Sequence, residues 1–165
     1  MRSNTFKDTL VLCFLVLSLA LISACDSEPT YTIEQHLVRA KDFRYQGDLR
    51  SAVIELKNAL RKGASNGPAR FMLGEVYLDV ENGAAAEKEI ELALENGMSS
   101  VETRVMLGQS WLLQGKFQDV LTDFPDDGLV GKNVAFRQLR GDALRGLKKF
   151  DEAVVEYKRA LEVNP

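Results

Sequence analysis

A short phrase recurs along this chain at a fixed interval, and that recurrence restricts its fold more than any other feature. Leu73-Gly74-x-x-Tyr77 returns as Leu107-Gly108-x-x-Trp111, 34 residues further on. Moving back by the same interval from Gly74 reaches Ala40, with Phe43 in the slot of Tyr77. Moving forward 33 residues from Gly108 reaches Gly141, with Leu144 in the aromatic slot. The second half of each unit agrees. Ala52, Ala86 and Ala153 share one position, Leu56, Ile90, Phe124 and Tyr157 a second, and Ala59, Ala93 and Ala160 a third. A period of this length belongs to stacked supersecondary units, each burying its apolar side against the next. Small residues at fixed places allow helices to approach closely, and bulky ones fill the space between them.

This pattern resembles the tetratricopeptide repeat, a pair of antiparallel helices with small residues at the eighth, twentieth and twenty-seventh positions. The resemblance implies an all-α solenoid with repeats at 33–66, 67–100, 101–133 and 134–165. Turn signals at Gln46-Gly47-Asp48 and Gln114-Gly115-Lys116 fit it, as does Pro165 where such a repeat ends. The third repeat departs from the pattern. It carries Val120 and Asp127 in place of alanines, and Pro125 must end its second helix early. Phe124-Pro125-Asp126-Asp127-Gly128 therefore reads as a short helix followed by a loop with solvated carboxylates. Asp123, Asp126 and Asp127 do not have the spacing of a calcium loop. In the fourth repeat Arg140 stands where an aliphatic residue is usual. Val154, Tyr157, Leu161 and Val163 make the last helix too apolar to be a cap, so a continuing array or a covering partner is expected.

Ahead of the repeats, Arg2 and Lys7 precede an apolar run from Leu10 to Ile22. As a helix this run spans roughly 20 Å, short of the roughly 30 Å hydrocarbon core, and suits a signal peptide. Ile22-Ser23-Ala24-Cys25 resembles the lipobox of bacterial lipoproteins. That resemblance implies cleavage between Ala24 and Cys25, leaving residues 1–24 as signal peptide, and acylation of Cys25. Three acyl chains, at about 0.8 kcal/mol per buried methylene, make a lasting anchor. Residues 25–32 form a polar tether. Cys13 leaves with the signal, so the mature chain can form no disulfide. Asp26 resembles the inner-membrane retention signal of enteric lipoproteins, which implies the periplasmic face of the inner membrane, with the outer membrane as the alternative.

Composition narrows the function. A net charge of −3, with 21 basic residues scattered among 24 acidic ones, offers no basic stripe for a nucleic-acid backbone. A single histidine, His36, faces its partner helix and reads as a satisfied, partly buried residue rather than a ligand or base. No metal, cofactor or small-molecule substrate is expected. Trp111 reads as core, and the run from Glu87 to Glu95 as the polar face of an amphipathic helix. For acid–base chemistry Glu75 and Glu102 are the only obvious carboxylate pair, and nothing nearby would raise either pKa selectively.

In the tetratricopeptide family the first helices line a concave, peptide-binding groove. Carried over, that groove comprises Leu37, Lys41 and Arg44, then Phe71, Glu75 and Leu78, then Val105, Gln109 and Leu112. Leu37 and Met72 fall where the carboxylate-binding members hold polar residues, so capture of a C-terminal carboxylate is not expected. The wording Leu49-x-x-Ala52-x-x-Glu55-Leu56-Lys57-Asn58-Ala59-Leu60, after a lipobox and tether, resembles the tetratricopeptide lipoproteins of PEP-CTERM (exosortase) systems. Those lipoproteins are longer and are tied to exopolysaccharide production. The resemblance implies a non-enzymatic, lipid-anchored scaffold that binds envelope proteins or peptides. A pilotin-like or outer-membrane assembly lipoprotein is the alternative, and a glycan-active enzyme a remote one.

Overall fold

The computed structural model describes residues 31–126 and 133–163, and from Thr32 onward these belong to one compact unit. The signal segment, Ala24, Cys25, Asp26, Asp127, Gly128 and Pro165 lie outside the described residues. Eight helices follow one another: α1 (Ile33–Tyr45), α2 (Leu49–Lys62), α3 (Gly67–Asp79), α4 (Gly83–Glu95), α5 (Val101–Leu113), α6 (Phe117–Asp123), α7 (Val134–Gly146) and α8 (Phe150–Val163). There is no strand among the described residues, and no described helix is long and apolar enough to cross a membrane.

Short polar residues start these helices. Thr32 accepts from the Gln35 backbone N–H while the Gln35 side chain accepts from the Thr32 backbone N–H, a complete capping box. Asp48, Asn66, Asn82, Ser100 and Asn133 cap α2, α3, α4, α5 and α7 with the side-chain half of that motif, each accepting from the backbone N–H three residues on. The turn inside each hairpin needs a left-handed residue. Gly47 and Gly115 supply it in the first and third hairpins at φ 78° and 72°. The second and fourth use Glu81 and Lys148 instead, at φ 55° and 62°.

Helices pair as α1/α2, α3/α4 and α7/α8, and each hairpin also packs on the next, α2 on α3 and α4 on α5. The repeating small residues lie where these surfaces close. Ala52, Ala59, Ala86 and Ala93 are fully buried. A Cβ added to Gly74 would stand 2.7 Å from Ile90 Cγ1, and one added to Gly108 would meet Leu139 and Phe124. Added to Gly141, it would overlap the Tyr157 ring. In the second and fourth hairpins the eighth-position glycine thus receives the bulky side chain of its own second helix, whereas Gly108 is closed over by Phe124 just past α6 and by Leu139 of α7.

The third hairpin is the irregular one. Its second helix, α6, has seven residues, lacks a side-chain cap and stops before Pro125. Phe124 just beyond it is fully buried, stacked against Phe136 at 4.8 Å between ring centroids. Val120, Phe124, Phe136, Leu139 and Ala143 form one core cluster, so α7 rests on α5 as well as on α6.

The described carboxylates near this bend, Asp123 and Asp126, are exposed and are also ion-paired. Asp126 accepts from Arg137 at 3.2 Å and Arg159 at 2.6 Å, while Asp123 accepts from Arg104. Burial pushes the Asp126 carboxyl up, but the two guanidinium groups outweigh it and hold it below the usual range. At the far side Leu161 is 68% exposed and Val154 48%. Val134, Gln138, Tyr157, Ala160 and Leu161 line a shallow cleft there.

Candidate interaction surface

The first helices of the hairpins, α1, α3, α5 and α7, present one face, and behind it each hairpin is tied by a side-chain pair of fixed spacing, three of them ion pairs and the first a histidine–carboxylate hydrogen bond. His36 Nδ1 lies 2.6 Å from Glu55 Oε2, Arg70 pairs with Glu89, Arg104 with Asp123, and Arg137 with Glu156 at 2.7 Å. All four pairs are nineteen residues apart, joining the fourth residue of the first helix to the second helix. In the first and last hairpins an arginine three residues further on joins the same carboxylate, Arg39 to Glu55 and Arg140 to Glu156. That explains the arginine where an aliphatic residue was expected. Arg140 also donates to the Phe124 carbonyl at 2.6 Å, sealing the end of α6.

His36 is accordingly buried and bonded. Burial raises the Glu55 carboxyl, yet the hydrogen bonds from Arg39 and His36 leave it below its ordinary value.

The groove residues divide by position. Leu37, Phe71 and Val105 are half-buried and pack against three successive core clusters. They brace the face more than they line it. Arg44 is not open to a ligand, because it donates to Glu75 and, through Nε at 2.6 Å, to Asp79. The Asp79 bond leads in raising the arginine's pKa, with Glu75 adding to it against the cost of burial. The α1–α3 crossing is thus bridged by its own charges, with Lys41 exposed beside it. Glu75 is engaged by this arginine, whereas Glu102 is exposed on α5. Among the described residues no group of three His, Cys, Asp or Glu side chains is placed to hold a metal ion.

Open space begins one hairpin later. Leu78, Glu81, Gln109, Leu112 and Leu113 line a cleft of about 410 Å³ between α3 and α5. Leu112 also borders a second cleft of about 340 Å³, whose other walls are Phe117, Asp142, Arg145 and Gly146. The Tyr157 hydroxyl donates to Asp142 at 2.9 Å, and burial together with that carboxylate raises the phenol's pKa. Leu78, Gln109 and Leu112 of the sequence-derived groove are therefore brought together, while Leu37, Lys41, Arg44, Phe71, Glu75 and Val105 lie outside these two clefts. Asp142 and Arg145 were missed, although they hold the ninth and twelfth positions in the last repeat. Glu81 gave no signal beyond being a non-glycine in a glycine slot.

Glu87 and Glu89 also depart from the expected polar face. Glu87 accepts from Trp111 Nε1 at 2.7 Å, from Gln114 and from Lys116. Burial raises its carboxyl, and these three donors bring it below the ordinary value. Glu89 is buried against Arg70. Trp111, half-buried between two core clusters, is held in place by the Glu87 bond.

Comparison with known proteins points one way. Residues 37–101 and 135–165 match family models that both describe the tetratricopeptide repeat. No curated protein matches the sequence. Among solved structures, "Crystal structure of MamA protein" aligns with a TM-score of 0.70 at 21% identity, over 83% of this chain and 75% of that one. "MamA MSR-1 C2" aligns with a TM-score of 0.71 at 18% identity, over 90% and 84%. At these identities the likeness is one of fold.

Proposed function

Because this chain belongs to the tetratricopeptide-repeat family, we propose that it is a non-enzymatic docking scaffold of the bacterial cell envelope. On this reading Cys25 carries the acyl anchor at the periplasmic face of the inner membrane. The repeats then recruit proteins of PEP-CTERM sorting and exopolysaccharide production. The observation that carries the docking role is the pair of adjoining clefts sharing Leu112 on the first-helix face. A leucine-floored surface with a few polar groups suits a polypeptide segment. The anchor is supported by Ile22-Ser23-Ala24-Cys25 and the apolar run before it, and the pathway by the wording of residues 49–60.

Two measurements test this reading. Cys25→Ser, or inhibition of the lipoprotein signal peptidase, is expected to leave a larger precursor without acyl label, and an unchanged mature size would refute the anchor. A photo-crosslinking residue at Gln109 is expected to trap envelope proteins in cells, and separated membranes are expected to carry the protein in the inner fraction. Recovery in the outer membrane alone would favour a pilotin-like role. Turnover of an envelope glycan, abolished by Glu75→Gln, would replace the scaffold with an enzyme.

A further inference from the structure

We propose that the cleft between α3 and α5 binds a partner segment in which an aliphatic side chain stands beside a lysine or arginine. This rests on the docking role above and gives that role its chemistry. The floor is apolar: Leu78, Leu112 and Leu113 contribute three leucine side chains, of which Leu113 is substantially exposed. Enclosing an aliphatic group there removes apolar surface from water on both partners.

The rim is acidic and lacks a cation. Among the described residues the Glu81 carboxylate has no hydrogen bond or ion pair, and no lysine or arginine lines the cleft. Close by, Glu75 and Asp79 share a single guanidinium, that of Arg44, which leaves this end of α3 negative. The carboxyl end of the α3 dipole adds to the field, and α3 has no basic residue in its last turn. A cationic side chain is the complement on every count. Gln109, with an amide that both donates and accepts, lines the same cleft and can pair with a peptide backbone.

Glu81 also occupies the left-handed turn position at φ 55°, which glycine fills in the first and third hairpins. A glycine there would suit the backbone better, so this carboxylate is held on the cleft's edge in spite of local strain. The same fact supplies a clean control, because Glu81→Gly relieves the turn rather than disturbing it.

The experiment uses the full chain, immobilised and panned against a random heptapeptide phage library. Enriched peptides are then labelled for fluorescence anisotropy. The expected consensus is Leu, Ile or Val adjacent to Lys or Arg. Glu81→Gly is expected to weaken binding about fivefold, the worth of one exposed ion pair, with the circular dichroism spectrum unchanged. Glu81→Lys should weaken it further, and 0.5 M salt should narrow the difference between wild type and variants. An acidic consensus, no consensus, or Glu81→Gly and Glu81→Lys binding as tightly as wild type would each overturn the proposal. So would hydrogen-exchange protection by the peptide on another face, although the scaffold role would survive that result. If the library peptides protect α3 and α5 while cross-linking in cells captures nothing, the cleft chemistry stands and the envelope role alone falls.

Discussion

Gly74 shows how much a single hydrogen decides in this stack. Adding a methyl would gain about 1 kcal/mol of helix propensity, yet it would stand 2.7 Å from Ile90 Cγ1 inside a closed hairpin. Overpacking of that kind costs about 1–3 kcal/mol, so steric conflict outweighs propensity. Gly74→Ala is expected to cost up to about 2 kcal/mol net, read as a lower urea midpoint. In an Ile90→Ala background the same change should cost nothing further, because the clashing atom is gone. A penalty that persists in the double variant would place the conflict elsewhere. Lys148 runs the opposite way. It holds φ 62° in a turn that hairpins one and three build with glycine, so Lys148→Gly should be neutral or stabilise by up to about 1 kcal/mol, read from the same denaturation curve.

Between helices, identical spacing does not mean identical energy. Arg137–Glu156 and Arg104–Asp123 span the same nineteen residues, but the Glu156 side chain is 5% exposed and that of Asp123 42%. Arg137→Met strips one partner from a buried carboxylate and is expected to cost about 3 kcal/mol. Asp123→Asn should cost less than about 1 kcal/mol, since solvent already screens that pair. Equal losses would mean that burial does not set the strength of these locks. The bond from Trp111 to Glu87 offers an optical reading of the same physics, because the chain has one tryptophan. Glu87 is depressed in the folded protein, so its contribution is complete above the ordinary carboxylate pKa and is lost as pH falls through the depressed folded value. Acidification below about pH 4.5, the unfolded glutamate value, should therefore shift Trp111 emission and lower stability together. Glu87→Gln keeps an acceptor for the indole but removes the charge facing Lys116, and should abolish the emission shift while leaving the acid destabilisation that comes from Glu55 and Asp126.

Over the whole array, the parts legible in the sequence are those that leave a mark at a fixed interval. Gly74 and Gly108 announced the stack because a close helix crossing tolerates almost nothing else, and Pro125 announced the short α6 because proline cannot continue a helix. The nineteen-residue side-chain pairs leave an interval too. Charged residues are so frequent, however, that one such match means little until four stand in register. The cleft between α3 and α5 draws on Gln109 and Leu112, two of the residues the repeat pattern singles out, while the pairing of Arg44 left no mark in that pattern. No periodicity reveals that a guanidinium will turn to carboxylates on the next hairpin.

The irregular third hairpin then governs how the array comes apart. Stability in a repeat stack is close to a sum of unit and neighbour terms, so the weakest junction sets cooperativity. That junction is bridged by Phe124, fully buried among Val120, Phe136, Leu139 and Ala143 and covered by Arg104 at 5.2 Å from its ring. Phe124→Ala opens a cavity worth about 3–5 kcal/mol at the one place where the second helix is only seven residues long. The remaining links are α5 and α6 against α7, each a smaller contact than any intact hairpin makes. Urea unfolding of Phe124→Ala is therefore expected to split into two steps, with α7 and α8 losing hydrogen-exchange protection before α1 to α4. Wild type should unfold in one. If the variant instead gives a single transition shifted to lower urea, the packing of α5 and α6 on α7 carries the coupling, and the buried phenylalanine merely adds stability to it.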